Sequence, residues 1–334
     1  MKNESPGHKN DQDFFYNKER EGDNMKKIPV IIDCDPGVDD TLALMLANQI
    51  ETFELLAVTT VAGNAPLAYT FKNGRNVMDY IGAKVPVYKG AEKPLQRELK
   101  TAAHIHGEDG MGGVVLRESK QPVETEAAWD ALHRLALKYK GELVLIAVGP
   151  MTNVALALTK YPDLKELIKH IVIMGGAAKG GNVTPHAEFN IHEDPEAAEI
   201  LFTSGIPVYM CGLDVTMEAC MTGPEIEELM ALGSKEAKLF HDVEQKALAF
   251  YHNVLGREGV AMHDPTAVLF AEDPSIFKGE WCNVHVETKD DITCGKTMTD
   301  LFDKEKKEEK NVFVVTEVDR PVFVKKIFER MAKY

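Results

Sequence analysis

The stretch IIDCDPGVDD, residues 31–40, places four aspartates, Asp33, Asp35, Asp39 and Asp40, within eight residues around a Pro-Gly pair. Like charges this close repel, and folding them together costs stability unless something neutralises them. Asp33 and Asp35 are two apart, so they share a face at the end of a strand. Pro36-Gly37 makes the turn, and Asp39 and Asp40 begin a helix. The helix dipole favours negative charge there by only about 0.3–1 kcal/mol, too little to offset several carboxylates aimed at one point. A bound cation can offset them, and carboxylate oxygens without thiolate or imidazole point to a hard one, Ca²⁺ or Mg²⁺.

Three readings of the cluster compete. The plainest is helix capping by surface carboxylates. A second is an Mg²⁺-dependent aspartyl-phosphate phosphohydrolase, in which Asp33 attacks phosphorus and the metal bridges Asp33 and Asp35. That chemistry also needs phosphate-binding Lys and Ser/Thr at later strand ends, and no convincing set stands out. The third is hydrolysis by a metal-activated water. An EF-hand is excluded, because Gly37 and Val38 stand at its fifth and sixth loop positions. There is no Walker A pattern, and GGAAKGG is not a dinucleotide fingerprint.

Two distant segments offer partners. MHDPTAVL puts His263 beside Asp264 near the start of a helical run. A lone histidine is usually structural, but next to a carboxylate that could reach a metal it suits a general acid near neutral pH. AEFN offers Glu188 and Asn190, two apart on one face, with acceptors and donors that suit sugar hydroxyls.

The elements that must carry these residues alternate from Lys27 onward. IPVIID, LLAVTTVAG, ELVLIAVG, HIVIMGG and IPVYMCGLDV read as strands; TLALMLANQ, LAYTFKNGRNVMDYIG and TNVALALTKY read as helices. In DPEAAEILFTSG, Asp194 caps a helix, Pro195 takes its first position and Gly205 closes it. The strands are near-continuously apolar, which predicts an α/β domain with a central, mostly parallel sheet flanked by helices on both faces. Ligands bind such sheets at the carboxyl ends of the strands, where DCDPGVDD, TTVAGN, VGPMTN, MGGAAKGGNVTPHAEFN and HDP all fall.

The chain has 334 residues, 38 Lys plus Arg against 53 Asp plus Glu, and a net charge of −15. That balance argues against partners bound through a nucleic-acid backbone or an anionic membrane. Five scattered cysteines without CxxC spacing fit reduced thiols in a cytoplasm. No apolar run is long enough to span a bilayer; the best, LVLIAVGPMTNVALAL, is broken by Gly149-Pro150 and Thr152-Asn153. Residues 1–24 are polar, lack the apolar centre of a signal peptide, and read as a disordered extension before a single catalytic domain, 25–334. DKEKKEEK, residues 303–310, reads as a solvated loop.

DCDPGVDD, TTVAGN, VGPMTN, GNVTPHAEFN and HDP stand in an order and spacing that resembles the nucleoside hydrolases of the inosine–uridine-preferring type. KGAEKPL, HIHGEDGMGG and VDRPVF add smaller matches, so the likeness runs from about Lys27 to the C-terminus. The chain departs from the family's frequent TRG at Thr293-Cys294-Gly295. The resemblance implies Ca²⁺-dependent cleavage of ribonucleosides to base and ribose in salvage, by a homodimer or homotetramer. It implies metal ligands at Asp35, Asp40, the Thr152 carbonyl and Asp264, with Asp35 also the general base and Asp33 supporting from behind. It places the ribose against Asp39, Asn64, Asn182, Glu188 and Asn190. His263 matches the proton donor to the base, His106 and Tyr251 the base site, and Met174 and Phe189 the apolar wall. A binding protein that has lost catalysis is the non-enzymatic alternative, against which intact Asp35 and His263 argue.

Overall fold

The continuous apolar runs pair side by side, because each is buried on both faces and has no polar face to turn to water. The structure is a computed structural model and describes residues 26–302 and 309–334. The N-terminal extension and most of the DKEKKEEK run lie outside the described residues. In chain order the strands are β1 (Ile28–Cys34), β2 (Phe53–Thr60), β3 (Val87–Lys89), β4 (Leu143–Ala147), β5 (Ile168–Met174), β6 (Val208–Cys211), β7 (Cys220–Thr222), β8 (Gly259–Ala261), β9 (Phe277–Cys282), β10 (Val284–Val286), β11 (Thr297–Thr299) and β12 (Val312–Val318). Eight form one sheet in the order β3-β2-β1-β4-β5-β6-β12-β9. All its neighbours are parallel except the edge pair β12–β9. The remaining four make two antiparallel ribbons, β7–β8 and β10–β11.

Side chains alternate across the sheet. Val30, Ile32 and Cys34 pack with the helices Val38–Gln49, Lys235–Asn253 and His263–Glu272. Ile31, Leu145 and Ile171 face the other way, against the helices Ala128–Tyr139, Thr152–Lys160 and Pro195–Phe202. The expected α/β architecture is therefore what forms.

The Asp194 reading also holds. Its carboxylate accepts from the Ala197 N–H at 3.1 Å, Pro195 opens the helix, and Gly205 turns the chain at φ 83°. IPVYMCGLDV does not stay one strand. It ends at Cys211, and Leu213–Thr216 is a helical turn. The cause is a distant contact: the backbone at Gly212 runs against Gly176, where a Cβ would lie 2.5 Å from the carbonyl oxygen. The Leu213 N–H then donates to that same oxygen at 2.9 Å.

From β1 the chain moves outward through β2 and β3, then returns to add β4 on the opposite side of β1. The carboxyl ends of β1 and β4 thus flank a topological switch point, where an open α/β sheet leaves a crevice. The Val148 N–H, just past β4, donates to the Asp33 carbonyl at 2.7 Å and closes its base. Leu44, fully buried on the helix Val38–Gln49, anchors that helix to the sheet. Leu44→Ala is expected to cost about 2–5 kcal/mol, read as a lower urea midpoint at unchanged slope.

Candidate active site

The aspartate loop forms the floor of the crevice. Asp40 turns its carboxylate back on the loop, accepting from the Asp35 N–H at 3.2 Å and the Gly37 N–H at 2.9 Å. Asn64, from the loop after β2, donates its backbone N–H to Asp35 Oδ2 at 2.6 Å. Its side-chain amide reaches the Asp35 carbonyl and Asp40 Oδ2, both at 3.2 Å. The Asp35 carboxylate fits only because two neighbours lack side chains. A Cβ on Gly63 would overlap its Oδ2, and one on Gly149 would lie 2.7 Å from Oδ1.

Asp33 lies behind this layer, fully buried. Its Oδ1 accepts from the Thr59 hydroxyl at 2.5 Å and the Asn153 amide at 2.7 Å. It does not line the cavity. Asn153, not singled out in the sequence, links three segments, since it also donates to the Thr60 carbonyl at 3.0 Å and accepts from the Ala91 N–H at 2.8 Å.

Asp39, Asp40 and Asp264 each bring a carboxylate oxygen within 4.8 Å of the others. Burial pushes Asp33 and Asp40 up to about 7, Asp40 with help from the charge of Asp39. Burial and the neighbouring carboxylates push Asp35 and Asp264 well above the usual range. Among the described residues no Lys or Arg supplies a hydrogen bond or ion pair to these four carboxylates. Oxygen donors crowded in this way, with no thiolate, suit a hard divalent cation. Thr152 lies off the cavity, opening the helix Thr152–Lys160, and its hydroxyl donates to Asp194 at 2.7 Å.

Above this floor lies a cavity of about 1130 Å³. Asp35, Asp39, Asn64 and Asp264 reach it from below. Met174, Asn182, Glu188, Phe189 and Asn190 line one side. Glu188 also caps the helix Phe189–Glu193, accepting from the backbone N–H groups of Gly176, Asn190 and Ile191 at 2.9, 2.9 and 3.2 Å. Burial nonetheless raises it to about 7. Asn190 donates to the carbonyls of Val148 and Met174 at 2.8 and 3.1 Å, tying the ends of β4 and β5 together. Asn182 accepts from the Phe189 N–H at 2.9 Å.

His106, His263 and Tyr251 also line the cavity. His106 Nδ1 accepts from the Val38 N–H at 3.3 Å, and burial lowers its pKa to about 4, so the ring is neutral with its proton on Nε2. His263 is held at both nitrogens: Nε2 lies 2.9 Å from the Tyr251 hydroxyl and Nδ1 2.8 Å from the Thr216 hydroxyl. Burial lowers its pKa, and the negative charge of Asp39 works against that. Thr216 carried no signal in the sequence; the turn after Gly212 brings it here. At the TCG departure, the Arg97 guanidinium meets the Cys294 thiol and pairs with Glu196 at 2.9 and 2.7 Å.

Residues 30–325 match the family described as inosine-uridine preferring nucleoside hydrolase. The chain belongs to that family. It is 38% identical over 308 residues to the pyrimidine-specific ribonucleoside hydrolase RihA of Photobacterium profundum, covering 92% of this chain and 99% of that protein. It is 37% identical over 308 residues to the non-specific ribonucleoside hydrolase RihC of Escherichia fergusonii, with 92% and 99% covered. The purine-preferring ribonucleoside hydrolase from Gardnerella vaginalis superposes with a TM-score of 0.86 at 35% identity, over 91% of this chain and 98% of that one. This nucleoside hydrolase is thus a nucleoside N-ribohydrolase with the fold of its relatives.

The raised carboxylates of the metal-free nucleoside hydrolase set the sign of a pH effect. Folded Asp33 and Asp40 hold their protons to about pH 7, whereas unfolded aspartates lose them near pH 4. The native state then binds more protons across that window, so stability falls as pH rises through it. The expected outcome is a metal-free melting temperature that drops from pH 5 to pH 8. A divalent cation at about 100 times its Kd should restore it by about 5 °C at pH 8. Scanning calorimetry with and without chelator checks this, and a flat metal-free profile would contradict it.

Proposed function

We propose that this enzyme is a Ca²⁺-dependent hydrolase of inosine- and uridine-type ribonucleosides, releasing free base and ribose for salvage. The observation that carries this reading is the buried carboxylate cluster under a cavity lined by Asp39, Asn64, Glu188 and Asn190. The proposed ligands are Asp35, Asp40, Asp264 and the Thr152 carbonyl. When bound there, a hard cation neutralises the carboxylates and makes a water molecule more acidic.

Asp35, held in place by the Asn64 N–H, takes the proton from that water. Asp39, Asn64, Asn182, Glu188 and Asn190 hold the ribose, while Met174 and Phe189 supply apolar wall. Breaking the N-glycosidic bond puts positive charge on the sugar, as in other glycoside hydrolysis. The carboxylates around the ring stabilise that charge more than they stabilise neutral ribose. The departing base leaves more easily when protonated. His263, oriented by Thr216 and Tyr251, supplies the proton, and His106 lines the base end. In this reading the enzyme acts in the cytoplasm as a homodimer or homotetramer.

The test is release of reducing sugar from inosine, uridine, cytidine and adenosine, with and without chelator; no release from any of them at high enzyme concentration would sink the proposal. Asp35→Ala is expected to lower kcat/KM about 10²–10⁴-fold on every substrate, as for loss of a general base. His263→Ala should lower it about 10²-fold on inosine but only a few-fold on p-nitrophenyl riboside, whose leaving group needs no proton. Equal losses on both would remove the general-acid role.

A further inference from the structure

The inner face of the helix Lys235–Asn253 contributes Glu244, Ala247 and Tyr251 to the cavity, spaced three and four residues apart on one side of the helix. Tyr251 is occupied by His263 at 2.9 Å. Glu244 is not occupied. It is 1% exposed, and neither of its carboxyl oxygens has a hydrogen-bond partner. A carboxyl left unpaired in an apolar surround costs folding free energy, so a residue placed there without a structural partner calls for a functional one. Its immediate helical neighbours, Phe240, Val243 and Ala247, offer no side-chain hydrogen bond.

We propose that Glu244 is a specificity-determining residue that pairs with the polar edge of the nucleobase. The proposal rests on the ribonucleoside reading above and names the group that meets the base. Glu244 stands two turns from Tyr251 on the same helix face, and Tyr251 bonds His263 at 2.9 Å. In the proposed reading His263 gives its proton to the base, so the base comes to rest beside this helix face. Two adjacent groups on one carboxyl match two adjacent groups on a base. A protonated carboxyl accepts from the N–H and donates to the C=O of a lactam edge, as in uracil and hypoxanthine; with the same two groups it also serves a ring nitrogen beside an amino group. Burial and the nearby Asp39 charge raise the Glu244 pKa, which favours the protonated form. Both oxygens are shielded from water in the closed wall, so pairing takes a rotation of the Glu244 side chain toward the base.

Glu244→Gln keeps a donor and an acceptor, and Glu244→Leu keeps the bulk without either. The readout is the ratio of kcat/KM on uridine and on inosine to that on p-nitrophenyl riboside, whose leaving group has no such edge. Glu244→Leu should lower both ratios roughly 10–100-fold and Glu244→Gln by less than about 5-fold, as expected when a base-pairing group is removed or replaced in kind. Ratios for Glu244→Leu within about 3-fold of wild type would overturn the proposal. Calorimetric binding of free uracil and hypoxanthine is measured alongside, with a rise in Kd of roughly tenfold or more expected for Glu244→Leu. A wild-type enzyme that turns over no ribonucleoside overturns the functional reading, and the base titrations then decide on Glu244. No base binding, or an unchanged Kd, overturns the proposal.

Discussion

Four aspartates from two distant segments, Asp33, Asp35, Asp40 and Asp264, are buried against one another at the end of a parallel sheet. Their mutual repulsion and their loss of water are the constraint around which the crevice is built. Asp33, Asp35 and Asp40 are held by directed dipoles: the N–H groups of Asp35, Gly37 and Asn64, the Thr59 hydroxyl and the Asn153 amide. Such contacts lower the cost of a buried carboxylate without cancelling it. The cluster is therefore poised for a divalent cation, and the fold holds it ready at the expense of metal-free stability.

That constraint explains several features otherwise unrelated. Gly63 and Gly149 are glycines because the Asp35 carboxylate occupies the space of their side chains. Asn153 is buried in the first turn of its helix because it ties Asp33 to the β2 and β3 ends. At the switch between β1 and β4, adjacent strands send their chains in opposite directions, leaving room for both carboxylates and substrate. The cavity then has two unlike halves. The floor and one wall come from strand ends and are polar and rigidly bonded. The rest of its lining includes the helix Lys235–Asn253 and the His263 segment, where Glu244 stands with no hydrogen-bond partner of its own. Relatives with different base preferences in their names match nearly the whole length of this chain.

Much of this was legible in the residues. Apolar runs of strand length, separated by helical periodicity and capped turns, marked the sheet and its two helical layers, because burial on both faces leaves little room for polar alternation. The capping of Pro195–Phe202 by Asp194 was readable for the same kind of reason, being a contact between neighbours in sequence. IPVYMCGLDV misled, since nothing in its own composition announces the Gly175-Gly176 backbone that forces a turn at Gly212. The antiparallel edge strand β9 was not read either; its partner β12 lies 30 residues further on, and pairing direction leaves no mark on a strand's own pattern.

The sequence by itself determined the chemistry of the floor. Four aspartates around Pro-Gly crowd more negative charge than a helix dipole offsets, which points to a hard cation. It also determined the family, through motifs spread along nearly the whole chain. Only the tertiary structure decided who meets whom across long separations. It set Asp264 beside Asp40, Thr216 and Tyr251 on either side of His263, and Asn153 behind Asp33. It also left Glu244 buried in the cavity wall with nothing to bond. Thr216, Asn153 and Glu244 carry no local signal, because a side chain's environment is a property of packing rather than of its neighbours in the chain.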